Sequence, residues 1–144
     1  MKRSGRVSYH LCRLLLGGVF VWAGAVKAID VPAFAGQVAA YQLLPYAWNY
    51  AVAATLPYVE LLAGTLLLVN LRAKPAALLL LLLNALFMAV LASVVARGLS
   101  IDCGCFGPDA GTTPLQALGR DILLVALAVA VYRQHDHYVP PPTA

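Results

Sequence analysis

The chain has 144 residues, of which 62% are hydrophobic and 11% are charged, and its formal net charge is +4. This composition, with a mean hydropathy of +0.81, predicts a single membrane domain and leaves no length for a separate soluble catalytic domain. The basic residues form short clusters at the ends of apolar runs, which is typical of membrane orientation signals and argues against a nucleic-acid-binding protein.

The first apolar run covers about residues 11–28 and follows a basic N-terminal segment. We interpret it as the first membrane-spanning helix. Ala23-Gly24-Ala25 also fits the cleavage site of a signal peptide, but the apolar run continues beyond it. Gly17 and Gly24 are seven residues apart, which predicts a small face that packs closely on a neighbouring helix. Arg13, near the start of the run, is expected to extend to the lipid headgroups.

The interval from Asp30 to Asn49 is less apolar than the runs on either side of it. Pro32 can begin a short helix that carries Phe34, Val38 and Tyr41 on one face. The sequence therefore predicts an amphipathic segment on the exoplasmic surface of the membrane, between the first two spans. An ordinary connecting loop is the alternative interpretation.

Three further apolar runs predict spans at about residues 50–70, 75–96 and 114–132. Arg97-Gly98 is a typical end for the third span, and Thr113 followed by Pro114 is a typical start for the fourth. Residues 133–144 are proline-rich at their end and are predicted to form a disordered tail. The predicted fold is all-α: a polytopic membrane protein built as a bundle of four transmembrane helices.

Four spans place both termini on the same side of the membrane. Seven of the ten basic residues fall on or near that side: Lys2, Arg3, Arg6, Arg13, Arg72, Lys74 and Arg133. The positive-inside rule then predicts cytoplasmic termini in a bacterial inner membrane. The connection that carries Cys103 and Cys105 is predicted to face the oxidising periplasm or the extracellular space.

Cys103 and Cys105 are separated only by Gly104. A disulfide across so short a connection closes a strained ring, and strain makes the bond easier to reduce. Such a pair suits thiol–disulfide exchange better than permanent cross-linking, and the neighbouring Asp102 can take part in proton transfer. A soft-metal site and a structural disulfide are the alternatives. Cys12 is predicted to be an inert core residue near the opposite end of the bundle.

Three ionisable residues lie within or at the edge of the spans: Lys27, Glu60 and Arg120. Helix rise places Glu60 roughly 15 Å and Arg120 roughly 9 Å below the exoplasmic ends of their helices. Because unpaired charges are costly in a bilayer, we expect Glu60 to pair with Arg120, and Lys27 to lie beside Asp30 or Asp121. The cluster either holds the bundle together as a structural ion pair or binds a quinone carbonyl or an anionic substrate and handles protons.

Several features recur along the chain in a characteristic order: the Gly17 to Lys27 pattern, Leu56-Pro57 with Glu60 and Gly64, Arg97-Gly98, Asp102 to Gly107, and Arg120. In these features the chain resembles the MauE (methylamine utilisation) branch of the DoxX-like membrane proteins, over about residues 10–132. The resemblance implies a four-helix bundle without haem or flavin. It also implies a thioredoxin-like partner in the maturation of a disulfide-rich dehydrogenase, whereas DoxD relatives are linked to quinone reduction.

Together these features predict a membrane component of thiol–disulfide exchange, acting as an oxidoreductase with Cys103 and Cys105 as the redox couple. Its expected partners are an exoplasmic thioredoxin-fold protein or a disulfide-containing client, and membrane lipid. We expect no tightly bound cofactor and no resident metal. Quinone is the proposed acceptor, at Glu60, Arg120 and Lys27. The alternatives are a binding or transport protein for copper, zinc or mercury, and a non-enzymatic membrane assembly factor.

Overall fold

A computed structural model describes residues 2–99 and 113–138, and these residues form five helices and no strands. The helices are α1 (Lys2–Ile29), α2 (Val31–Ala40), α3 (Tyr46–Leu68), α4 (Ala73–Ala96) and α5 (Pro114–Tyr138). The helices α1, α3, α4 and α5 are apolar and long enough to cross a membrane, whereas α2 is apolar but has only ten residues. The predicted all-α class with four spans and a short helix between the first two is confirmed.

The four long helices form a closed ring, in which α1 and α4 each pack on both α3 and α5. The short helix α2 packs mainly on α3, outside the ring. Phe34 of α2 is buried, and so is Tyr41 at its C-terminal end. The segment is therefore a short helix packed on the bundle, not an ordinary connecting loop; its predicted position on the membrane surface stays a prediction.

The predicted helix-end signals at Thr113 and at Arg97-Gly98 are confirmed. A further cap, which was not predicted, is at the start of α2, where the side chain of Asp30 accepts a hydrogen bond from the backbone amide of Ala33. At the start of α5, the amide of Gln116 donates to Thr113 Oγ1 and the amide of Thr113 donates to the side chain of Gln116. This reciprocal pattern is a capping box. Gly98 ends α4 with a positive φ of 66°, a conformation in which glycine has no steric penalty.

The small face predicted on α1 packs against α3. A Cβ atom added at Gly17 would lie 2.9 Å from the carbonyl oxygen of Gly64, and one added at Gly24 would lie 2.8 Å from that of Pro57. Both distances are too short for a carbon–oxygen contact. The two backbones therefore approach one another as closely as they do because these positions carry no side chain.

Arg13 does not extend to the headgroups as predicted, because it is buried against the C-terminal end of α3. Its guanidinium donates hydrogen bonds to the carbonyl oxygens of Leu67 and Leu68. The last carbonyls of a helix have no partner within the helix, so a buried cation there satisfies them. Nearby, the hydroxyl of Tyr9 donates to Asn70 Oδ1 at 3.1 Å.

The prediction of a disordered tail is wrong for residues 133–138, because α5 continues to Tyr138. Lys74 Nζ lies 2.5 Å from Asp136 Oδ2, and the ring of His135 lies 6.3 Å from that of Tyr9. These contacts with α4 and α1 give the last turns of α5 partners that the local sequence does not reveal. Residues 139–144 lie outside the described part of the chain.

Candidate functional site

A cluster of charged side chains lies inside the bundle, toward the end at which α1 and α4 finish and α5 begins. Lys27 is two residues from the end of α1, and Arg120 follows the start of α5 by six residues, which is about 9 Å along the helix axis. Glu60 comes from α3, and Asp121 lies beside Arg120 on α5. The connection that carries Cys103 and Cys105 runs from the end of α4 to the start of α5, so it is attached to the bundle at this same end.

Lys27 and Glu60 form a buried ion pair. Lys27 Nζ lies 2.9 Å from Glu60 Oε1 and 2.8 Å from Glu60 Oε2, and the two residues are 8% and 6% exposed. The same ammonium lies 5.5 Å from the centroid of the Phe34 ring, within the range of a cation–π interaction. Neither charge reaches the surface, so each depends on the other for compensation.

Arg120 and Asp121 form a second ion pair. Arg120 Nε and Nη2 lie 3.1 and 2.9 Å from Asp121 Oδ1. Asn84 of α4 donates a hydrogen bond from Nδ2 to the backbone carbonyl of Asp121 at 2.8 Å. Asp121 is only 1% exposed, and its Oδ2 has no hydrogen-bond partner among the described residues.

The two ion pairs and Asn84 line one cavity of about 60 Å³. All four long helices contribute a polar side chain to it, and the formal charges of the cluster sum to zero. The cavity is large enough to hold water or a small polar group. The unpartnered oxygen of Asp121 is an acceptor, whereas Lys27 and Arg120 supply donors.

Residues 6–133 match the family model of the methylamine utilisation protein MauE. The chain belongs to the MauE family. The match covers most of the sequence, with all of α3 and α4 and most of α1 and α5. No curated protein and no solved structure matched the chain.

The ion pair predicted between Glu60 and Arg120 is wrong, whereas Lys27 lies in one cluster with Asp121, which was one of the two neighbours predicted for it. Glu60 takes Lys27 as its ion-pair partner, and Arg120 takes Asp121. Helix rise predicts how deep a side chain lies in the membrane but not the direction in which it points from its helix. The sequence therefore predicted comparable depths for the charged residues without identifying which of them form ion pairs. Asp30 is absent from the cluster because its side chain caps α2.

Asp121 was expected only as a possible neighbour of Lys27, and its place in the site was not predicted. It lies in an apolar span, and the rule that singled out Glu60 and Arg120 applies to it equally. Its buried, unpartnered oxygen depends on how α5 packs in the bundle, which the sequence does not reveal.

A larger apolar groove of about 430 Å³ lies beside the cavity, between α2, α3 and α4. The groove and the cavity share four lining residues: Phe34, Leu56, Leu83 and Phe87. The charged centre of this MauE-family protein therefore adjoins an apolar surface that lies between its helices.

The predicted redox residues Cys103 and Cys105, with Asp102, lie outside the described residues. Cys12 is described, and it is half-buried in α1 against the main core cluster, as predicted for a packing residue. The described part of the chain contains no group of three or more residues suited to hold a metal ion.

Proposed function

We propose that this MauE-family membrane protein is the membrane component of a thiol–disulfide exchange system, and that it passes an electron pair between exoplasmic thiols and a lipid-soluble quinone. The observation that carries the proposal is the net-neutral cluster of four charges around a cavity. It lies at the end of the bundle where the connection with Cys103 and Cys105 joins α4 to α5. Buried charges are costly in a membrane, and when they surround a cavity they favour a role in ligand binding or proton transfer.

The chemistry consists of two balanced steps. In the first, a partner dithiol reduces the Cys103–Cys105 disulfide: a partner thiolate attacks one sulfur, a mixed disulfide forms, and the second partner thiol releases the reduced pair. In the second, the two cysteine thiols lose two electrons and two protons as their disulfide forms again. The quinone gains those electrons and protons and becomes a quinol. The reverse sequence would reduce a client disulfide.

Each charged residue has a distinct role in the second step. Lys27 and Arg120 are the donors that can hydrogen-bond to a quinone carbonyl oxygen. Asp121 Oδ2, which lacks a partner in the described residues, is the acceptor for a quinol hydroxyl. Glu60 is a positioning residue, because its two oxygens hold the Lys27 ammonium in place. Asp102, beside the redox pair in sequence, is proposed to move protons at the thiols.

The family supports an accessory role at the membrane in methylamine utilisation. In that setting, the exchange partner is an exoplasmic thioredoxin-fold protein or a disulfide-containing client. The proposed location is the bacterial inner membrane, with cytoplasmic termini, because the basic residues concentrate on that side.

The test follows the redox state of the Cys103/Cys105 peptide by rapid alkylation and mass spectrometry. Purified protein is equilibrated with dithiol buffers of graded potential and then exposed to quinone. We expect the pair to cycle between dithiol and disulfide, and quinone to restore the disulfide. A pair that stays reduced and retains copper or zinc would instead support metal handling, and a pair that resists strong reductant would indicate a structural disulfide.

A further inference from the structure

We propose that the apolar groove between α2, α3 and α4 binds the isoprenoid chain of a quinone whose ring presents a carbonyl to the charged cavity. The ligand then reaches the site laterally, from the hydrocarbon of the bilayer. This inference rests on the proposed function and names where its acceptor binds.

The groove and the cavity are adjacent parts of one surface. Phe34, Leu56, Leu83 and Phe87 line both, so a molecule held in the groove touches the walls of the charged cavity. Phe34 is also the ring that lies beside the Lys27 ammonium. The arrangement matches a ligand with one polar end and one long apolar end.

The groove has the size and chemistry of a chain-binding site. Its volume of about 430 Å³ is within the range of about 300–1,000 Å³ that is usual for ligand pockets. The hydroxyl of Thr55, at its wall, already donates to the carbonyl of Ala51 at 2.8 Å. Leu43, Leu44 and Leu86 are substantially exposed at its margin, where they would face lipid.

The two walls of the groove are held apart by their packing. Over the described residues α2 and α4 do not pack along one another, and Tyr41 connects them at the end of α2. Its ring lies 6.1 Å from that of Phe87, and its carbonyl accepts a hydrogen bond from Arg97 Nη2 at 2.6 Å. These contacts fix the position of α2 relative to α4, so the groove is present before a ligand arrives.

The balanced charges of the cavity favour the uncharged carbonyl of a quinone over the anionic phosphate of a phospholipid. Two cations are already neutralised by two carboxylates at the cavity, so an anionic phosphate would meet Glu60 and Asp121 without a cation left to balance it. An uncharged carbonyl needs only a donor, which Lys27 and Arg120 supply. A cavity of about 60 Å³ also suits the edge of a ring better than a glycerophosphate group.

Two kinds of experiment test the proposal on the full chain in lipid vesicles. In the first, a quinone with a diazirine on its isoprenoid chain is photolysed with the protein, and the labelled peptides are mapped by mass spectrometry. We expect labels on residues of the groove, and competition by unlabelled long-chain quinone. Labelling by a diazirine phospholipid that quinone does not displace would show that the groove holds acyl chains, and would overturn the proposal.

In the second, Val59→Trp and Val90→Trp narrow the groove from α3 and from α4. We expect the concentration of long-chain quinone that half-saturates cysteine oxidation to rise about tenfold or more, since buried chain contacts are lost. The response to a chain-free quinone should stay unchanged. Leu62→Trp and Leu82→Trp are matched controls, because both leucines are exposed and lie outside the groove.

Photolabelling of the groove tests the chain-binding site, whereas quinone-driven oxidation of the cysteines tests the proposed function. Labelling of the groove without quinone-driven oxidation of the cysteines would contradict the proposed function and leave the chain site intact. Oxidation by quinone with no labelling of the groove, or with equal effects of the groove and control variants, would overturn the chain site alone.

Discussion

Lys27 and Glu60 stabilise the bundle only as a pair, because each is buried and compensates the charge of the other. We predict that Glu60→Gln lowers the free energy of unfolding by about 3–5 kcal/mol, since it leaves the Lys27 ammonium buried without a counter-charge. The double variant Lys27→Met/Glu60→Leu should recover most of that loss, because it removes both charges. Thermal unfolding in detergent micelles measures both effects.

The same double variant separates a structural role from a functional one. If the pair only holds the helices in register, the folded double variant should still let quinone oxidise the cysteines. We expect this oxidation to be lost although the protein remains folded. A double variant that unfolds as readily as Glu60→Gln would contradict the energetic argument, whereas full activity in it would contradict the role in quinone binding.

Asp121 presents a carboxylate oxygen that lacks a partner in the described residues. We predict that Asp121→Asn slows quinone-driven oxidation of the cysteines by about 10²-fold, the scale typical of a lost proton-transfer group. Exchange of the cysteines with a soluble dithiol should continue at the original rate. Asp30→Asn is the matched control, because asparagine caps a helix as well as aspartate does; equal effects of the two substitutions would refute the prediction.

The sequence predicted which charged residues belong to the site better than it predicted which of them form ion pairs. Ionisable residues in apolar spans are few, and helix rise predicted comparable depths for Glu60 and Arg120. Which of them pair depends on the rotation of each helix about its axis, and packing between helices sets that rotation. This is why the sequence could not identify Lys27 as the partner of Glu60.

At the scale of the helices, the contact between α1 and α3 depends on glycine at particular positions. Gly17 and Gly18 provide an internal comparison. A Cβ atom at Gly17 would meet the backbone of Gly64, whereas one at Gly18 would meet nothing within 4 Å. We predict that Gly17→Ala costs about 1–3 kcal/mol by overpacking, and that Gly18→Ala is neutral or stabilising by up to about 1 kcal/mol.

Thermal unfolding of the two alanine variants under identical detergent conditions measures this difference. A Gly18→Ala variant as unstable as Gly17→Ala would mean that helix propensity or detergent contacts, and not the approach of α3, decide the stability of α1.

The existence of each helix followed from local signals, whereas the length of α5 did not. Each apolar run is a continuous stretch of sequence, and the Thr113 cap and the Arg97-Gly98 end act within one turn of their helices, so the sequence reveals them directly. The last turns of α5 depend instead on Lys74 and Tyr9, which are distant in sequence. The groove beside α2 likewise results from where α2 packs, which no local pattern specifies.

For the whole molecule, the distribution of basic residues predicts which compartment each end of the bundle faces. We expect a membrane-impermeant maleimide to label reduced Cys103 and Cys105 in intact spheroplasts. A Ser4→Cys variant that also carries Cys103→Ser and Cys105→Ser should be labelled only after the membrane is permeabilised. Labelling of the thiol introduced by Ser4→Cys in intact spheroplasts would reverse the proposed orientation and place the redox pair in the reducing cytoplasm.

If the cysteine pair and a quinone exchange electrons through this protein, a single turnover must form both products together. Fully reduced protein in lipid vesicles is mixed with excess quinone, and quinol and the Cys103–Cys105 disulfide are quantified in the same sample. We expect one quinol for each disulfide formed, and none with the Cys103→Ser/Cys105→Ser variant. Cysteines that stay reduced after the addition of quinone, or as much quinol from the serine variant, would rule out this exchange.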